Sequence, residues 1–150
     1  MSFWRFLFKN KQPTLRNENV LPKSSGELIV EAAAGANLVD GKKQTWELAQ
    51  EKKDDLEVMK RCCDSELITM EKAGLVPAPY YFERVAILSR KNKDYKQEIY
   101  YCEQYIEKVE AFYSEHGVDG IADVRKGSRY KAIVKRIPKA KELLSRSLDF

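Results

Sequence analysis

The sequence predicts an all-α fold built from antiparallel helical hairpins. Three observations carry that expectation. Residues 42–73 contain neither proline nor glycine and are mostly strong helix formers. Tyr81, Val85 and Leu88 recur at i, i+4 and i+7, while Tyr95, Ile99, Cys102, Ile106, Val109 and Tyr113 share one helical face. Only the polar Lys91-Asn92-Lys93-Asp94 separates those two stripes, and two amphipathic helices joined by so short an elbow pack antiparallel.

Composition bounds what surrounds the hairpin. A chain of 150 residues with 43% apolar side chains holds enough material for one packed core. No apolar run approaches the roughly 20 residues that span a bilayer. The N-terminus shows no secretory h-region and no small-residue cleavage site, so a signal peptide is not expected. The three cysteines, Cys62, Cys63 and Cys102, are odd in number and two are adjacent. That spacing suits neither a disulfide framework nor a zinc site, and a reducing, cytoplasmic location is the simpler expectation. The net charge of +4 is unevenly spread: residues 1–26 carry +4, residues 27–79 carry −4, and residues 116–150 carry +5.

Residues 1–26 read as an N-terminal segment and linker, and residues 27–150 as the helical domain. On a helix Phe3 and Leu7 share a face with Trp4 and Phe8 beside it, flanked by Arg5 and Lys9. This is the composition of a short interfacial anchor, and equally of a segment that docks on the protein itself or on a partner. Residues 10–26, with two prolines, three asparagines and Ser-Ser-Gly, carry no period and read as a tether.

Order resumes at 27–39, where Leu28, Ala32 and Ala36 follow helical spacing and Ser25 or Gly26 can cap. Asp40-Gly41 marks a turn. Over 42–73, Ala49, Leu56, Cys63 and Met70 recur every seven residues, widened by Trp46, Leu48 and Leu67. A single helix of that length is long for a small domain, so a break is expected in Lys52-Lys53-Asp54-Asp55, where the pattern turns polar. Gly74 suits a C-terminal cap, Val76-Pro77-Ala78 forces extended backbone, and Pro79 suits a first helical turn. Residues 114–127 read as a loop or a short helical turn. Ser128 is a plausible cap for a last helix carrying Tyr130, Ile133, Val134 and Ile137, with a kink or a new helix at Pro138.

The block Ala78–Tyr113 resembles a tetratricopeptide repeat. Phe82 stands where that family has a bulky residue, Val85 and Ala86 follow as an apolar and a small residue, and Lys93-Asp94-Tyr95 matches a Gly-Asp-Tyr elbow except for the glycine. Cys102 fills an apolar position of the second helix. Glu98 and Tyr105 stand where the family has alanines, and Glu110 where it has a closing proline. A shift of 39 residues pairs Asp55-Leu56 with Asp94-Tyr95, Cys63 with Cys102, and Met70 with Val109, against a family period of about 34.

The resemblance implies a short tetratricopeptide-like array whose C-terminal helix covers the last hairpin. It also implies a non-enzymatic adaptor or scaffold module that binds a protein or peptide. Its groove would be lined by Tyr80, Glu83, Ile87, Arg90 and Lys91, with Arg90 and Lys91 meeting an acidic ligand. Two other readings remain open. The basic C-terminal run offers Arg125, Arg129 and Arg136 to nucleic acid or another anion. The membrane reading rests on Phe3, Trp4, Leu7 and Phe8, which suit contact with a membrane surface and so a peripheral module. Homodimerisation through an uncovered helix face is a further option.

No catalytic constellation is visible. His116 is the only histidine and reads as a surface residue. Cys62 and Cys63 point about 100° apart on a helix, so at most one is expected in the core. Asp54-Asp55 reads as a solvated face, and no phosphate-loop, dinucleotide or metalloprotease motif occurs. No cofactor or metal is expected.

Overall fold

The computed structural model describes residues 22–149. Phe3, Trp4, Leu7 and Phe8 lie outside them. The described fold is all-α, with six α-helices: α1 Ser25–Ala32, α2 Thr45–Leu48, α3 Leu56–Ala73, α4 Pro79–Lys91, α5 Tyr95–His116 and α6 Ser128–Ser147. A 3₁₀ turn at Val124–Lys126 precedes α6. The only β-type pairing among the described residues is an isolated bridge between Val39 and Lys43.

Local chemistry sets most boundaries. Ser24 caps α1 reciprocally with Glu27, one residue before the expected cap. The helix stops at Ala32 because Ala34 (φ 52) and Gly35 (φ 77) turn left-handed, so the Ala36 stretch is not helical. The polar 52–55 stretch does break the long helical pattern: α2 is a single turn, and Asp55 caps α3 by accepting from Val58 N–H. Asp94 caps α5 in the same way through Gln97 N–H, so the two helices start alike 39 residues apart. Gly74 ends α3 in the left-handed region (φ 66, ψ 35).

The α4–α5 elbow is tightly specified. Asp94 N–H donates to Ser89 O at 2.8 Å and Lys93 N–H to Arg90 O at 2.9 Å, the paired bonds of a Schellman cap. Lys93 sits at φ 57, the left-handed conformation that glycine adopts without cost. Asp94 therefore closes α4 through its backbone and opens α5 through its side chain.

The helices pack in chain order. α3 lies on α4, α4 on α5, and α6 spans both α4 and α5, while α1 and α2 pack on α3. Met59, Cys63, Phe82, Val85, Cys102, Tyr105, Val109 and Ile133 are fully enclosed, each contributing about 1–3 kcal/mol by leaving water. Phe82 and Tyr105 meet at 4.8 Å between ring centroids.

Several expectations are corrected. Cys62 and Cys63 are both buried, because α4, α1 and α2 all pack on α3. Trp46 does not join the core stripe; it is 66% exposed, since α2 ends after one turn and presents Leu48 inward instead. The α5 stripe is shifted toward one edge: Cys102, Val109 and Tyr113 are buried as expected, Glu98, Tyr105 and Phe112 join them, and Tyr95, Ile99 and Ile106 are only half-buried. His116 is only partly exposed, its ring 4.5 Å from that of Phe112. At the last helix Gly127 takes the cap position, and α6 runs unbroken through Pro138. Pro138 is exposed, so water can satisfy the Val134 carbonyl that lacks its helical donor.

Candidate functional site

The outer face of α4 carries the groove positions expected from sequence, and α6 runs beside it. Tyr80 is half-buried: its hydroxyl donates to Ala49 O at 2.6 Å, and the Arg129 guanidinium stands over its ring at 4.9 Å. Arg129 Nη1 also reaches Glu83 Oε1 at 3.1 Å, tying α6 to α4. Ile87, one turn further along α4 than Glu83, is half-buried. Lys91 is exposed and makes no ion pair among the described residues.

Arg90 is differently placed. Its Nε donates to Glu98 Oε1 at 3.0 Å and its Nη2 lies 2.8 Å from Glu98 Oε2. Arg136 Nε donates to the same Oε2 at 3.0 Å, and Arg90 Nη2 also reaches Arg136 O at 3.3 Å. One fully buried carboxylate on α5 thus binds guanidinium groups from α4 and α6. Two positive charges meet one negative charge, and the surplus sits at the α4–α6 seam beside Lys91. Arg90 contributes to the field of the groove while its strongest donors face inward.

The three arginines expected to meet an anion all face carboxylates of their own fold. Arg125 grips Asp123 through two bonds of 2.9 Å and Glu110 through one of 3.0 Å, with its guanidinium 4.5 Å above the Tyr113 ring. These hydrogen bonds hold the Asp123 carboxyl below its usual range and raise the Arg125 pKa. Arg129 is paired with Glu83, and Arg136 with Glu98. On α6, Lys131 and Lys135 are exposed without an ion pair among the described residues, whereas Lys139 and Lys141 pair with Glu142 and Glu103.

Glu98, Tyr105 and Glu110, where the sequence leaves the tetratricopeptide pattern, each hold a polar tertiary contact. Glu98 joins the two arginines. Tyr105 donates to Pro77 O at 2.8 Å, and burial raises its phenol pKa. Glu110 accepts from Tyr130 and Arg125. The sequence did hold a signal for Glu98: it shares the i, i+4, i+7, i+11 spacing of Cys102, Tyr105 and Val109, a charge on a core stripe. A second missed residue is Glu66. It accepts from Thr45 Oγ1 at 2.7 Å and Ala78 N–H at 3.0 Å, clamping α2 and the start of α4 to α3, and burial raises its pKa.

Among the described residues, no group of three or more His, Cys, Asp or Glu side chains is placed to hold a metal ion. The cysteines are buried free thiols; burial pushes Cys62 and Cys102 up to about 12 and Cys63 higher still. No described helix is long and apolar enough to cross a membrane. No protein-family model matches the chain, and neither does any curated protein or solved structure.

Proposed function

We propose that this chain is a non-enzymatic module that binds a protein or peptide along the outer face of α4, as a short tetratricopeptide-like array. One observation carries the reading: α6 packs beside α4 and across α5, leaving Tyr80, Ile87 and Lys91 accessible along one flank. The shared Asp cap of α3 and α5, and the left-handed residue at the α4–α5 elbow, are consistent with a repeated hairpin. Half-buried Tyr80 and Ile87 supply apolar contact, and Lys91 with the surplus charge of the Arg90–Glu98–Arg136 cluster favours an acidic segment. Pairing of Arg125, Arg129 and Arg136 with internal carboxylates weighs against the nucleic-acid alternative. The cytoplasmic adaptor role and the homodimer belong to the same proposal.

The test is a peptide-display selection on the full chain. Selected peptides should be enriched in Asp and Glu. They should lose binding to Lys91→Glu and Ile87→Glu while keeping it for Lys108→Glu, which lies on α5. Peptides that bind all three variants equally would place the recognition surface elsewhere. Arg90 is unsuitable for this test, because changing it strands a buried carboxylate.

A further inference from the structure

We propose that the aromatic N-terminal segment, residues 3–9, docks in cis on the exposed Trp46 surface of α2 and latches the chain's own start onto its domain. This goes beyond the peptide-binding reading and does not depend on it. Three observations point to this occupant and this surface.

The first is where the tether enters the fold. Described residues begin at Pro22; Lys23 pairs with Glu31 at 2.7 Å, and Ser24 caps α1. Gly26 abuts the cap of α2, since a Cβ there would stand 2.9 Å from Gln44 Oε1. Gln44 is two residues from Trp46, so the tether starts beside the surface it would cover. The twelve residues between Lys9 and Pro22 reach about 40 Å when extended, so length does not limit the contact.

The second is the exposed indole itself. Trp46 is 66% exposed, and few other apolar side chains of the described fold stand so far out. Residues 3–8 add Phe3, Trp4, Phe6, Leu7 and Phe8, a dense apolar set in six positions. Burying such a set against the indole removes apolar surface from water. Tyr100, the other strongly exposed aromatic, lies on α5, away from α1 and α2.

The third is charge. Glu47 and Glu51 flank Trp46 in sequence, and Lys43 Nζ lies 3.7 Å from Glu51 Oε2, which folds Glu51 back beside the start of α2. From Glu51 an open cleft of about 610 Å³ continues along Lys52, Asp54, Asp55, Leu56 and Glu57. Of the four carboxylates in that lining, Glu51 pairs with Lys43, Asp54 with Arg84 at 2.7 Å and Glu57 with Lys60, and Asp55 has no ion pair among the described residues. The first eleven residues of the chain hold Arg5, Lys9 and Lys11 and no acid. The basic aromatic segment meets a stretch, residues 27–79, that carries the exposed indole and a net charge of −4.

The chain has two tryptophans, one on each side of the proposed contact, so fluorescence tests it directly. Full-length Trp4→Phe leaves Trp46 as the sole indole. Adding Phe3→Ser, Leu7→Ser and Phe8→Ser should release it, with a red-shifted emission and an acrylamide quenching constant about twofold larger. Arg5→Glu with Lys9→Glu in the Trp4→Phe chain should give part of that change, and high salt should mimic it. Unchanged helicity by circular dichroism confirms that the domain is intact in each variant. Equal quenching in all chains overturns the proposal. Protection that grows with protein concentration assigns the contact to a second copy, and protection that appears only with anionic phospholipid vesicles assigns the segment to a membrane. Either result also overturns docking in cis.

Discussion

Replacing Glu98 by alanine should be among the most damaging single changes on α5. The carboxylate is 0% exposed, and it accepts from Arg90 Nε at 3.0 Å, Arg90 Nη2 at 2.8 Å and Arg136 Nε at 3.0 Å. Removing one partner of a buried charge cluster typically costs about 3–5 kcal/mol, because the stranded charges stay desolvated. Here the stranded guanidiniums are 29% and 20% exposed, so water relieves part of the penalty. The expected loss is therefore near the lower end, about 3 kcal/mol. For a domain of this size that corresponds to a fall in Tm of about 10 °C. Urea and thermal unfolding followed by circular dichroism read both quantities. The control is Glu142→Ala, which removes only the exposed pairs with Lys139 and Arg146 and should cost under about 1 kcal/mol. If Glu98→Ala unfolds within 1 kcal/mol of wild type (about the worth of a surface ion pair), the three-helix junction is not a stability determinant and the reasoning fails.

Other consequences can be measured on the same protein. Burial raises the folded-state pKa of Glu66, so the folded chain holds its proton more tightly than the unfolded chain. Its contribution to stability should thus fall as pH rises through the window above the ordinary carboxylate value. The stability difference between wild type and Glu66→Gln should shrink over that window, and a difference independent of pH would contradict the assignment. Lys93→Gly should stabilise by about 0.5–1 kcal/mol, because the elbow residue already lies at φ 57; a destabilised variant in urea titration would rule this out. Tyr105→Phe should cost about 1–3 kcal/mol by leaving the Pro77 carbonyl without its donor, and a neutral result would mean that water replaces the hydroxyl. The three thiols, buried and raised in pKa, should resist a disulfide reagent at pH 8 until urea unfolds the chain. Labelling of Cys62 or Cys63 in the native protein would show that α3 opens on its own, and labelling of Cys102 that α5 does.

The sequence by itself determined the helical class and most of the punctuation. Residues 52–55 break the long pattern, Gly74 closes α3, Pro79 opens α4, and Asn92–Asp94 turn the hairpin. These are local effects of backbone preference and capping, decided within a few residues. What only the tertiary structure decided is which faces are covered. Cys62 is buried because α1 and α2 return over α3, and Trp46 stands in solvent because α2 is too short to turn it inward. The α5 face is set by its neighbours, which draw Glu98 and Tyr105 inside and leave Ile99 and Ile106 at the edge. The candidate site followed the same division. Tyr80, Ile87 and Lys91 were legible as the outer face of one helix. The capture of Arg90 and Arg136 by a single buried carboxylate was not, because it joins residues from three helices, with Glu98 and Arg136 38 positions apart in the chain. Helical period reports what one helix offers, and packing alone decides which of those offers is taken.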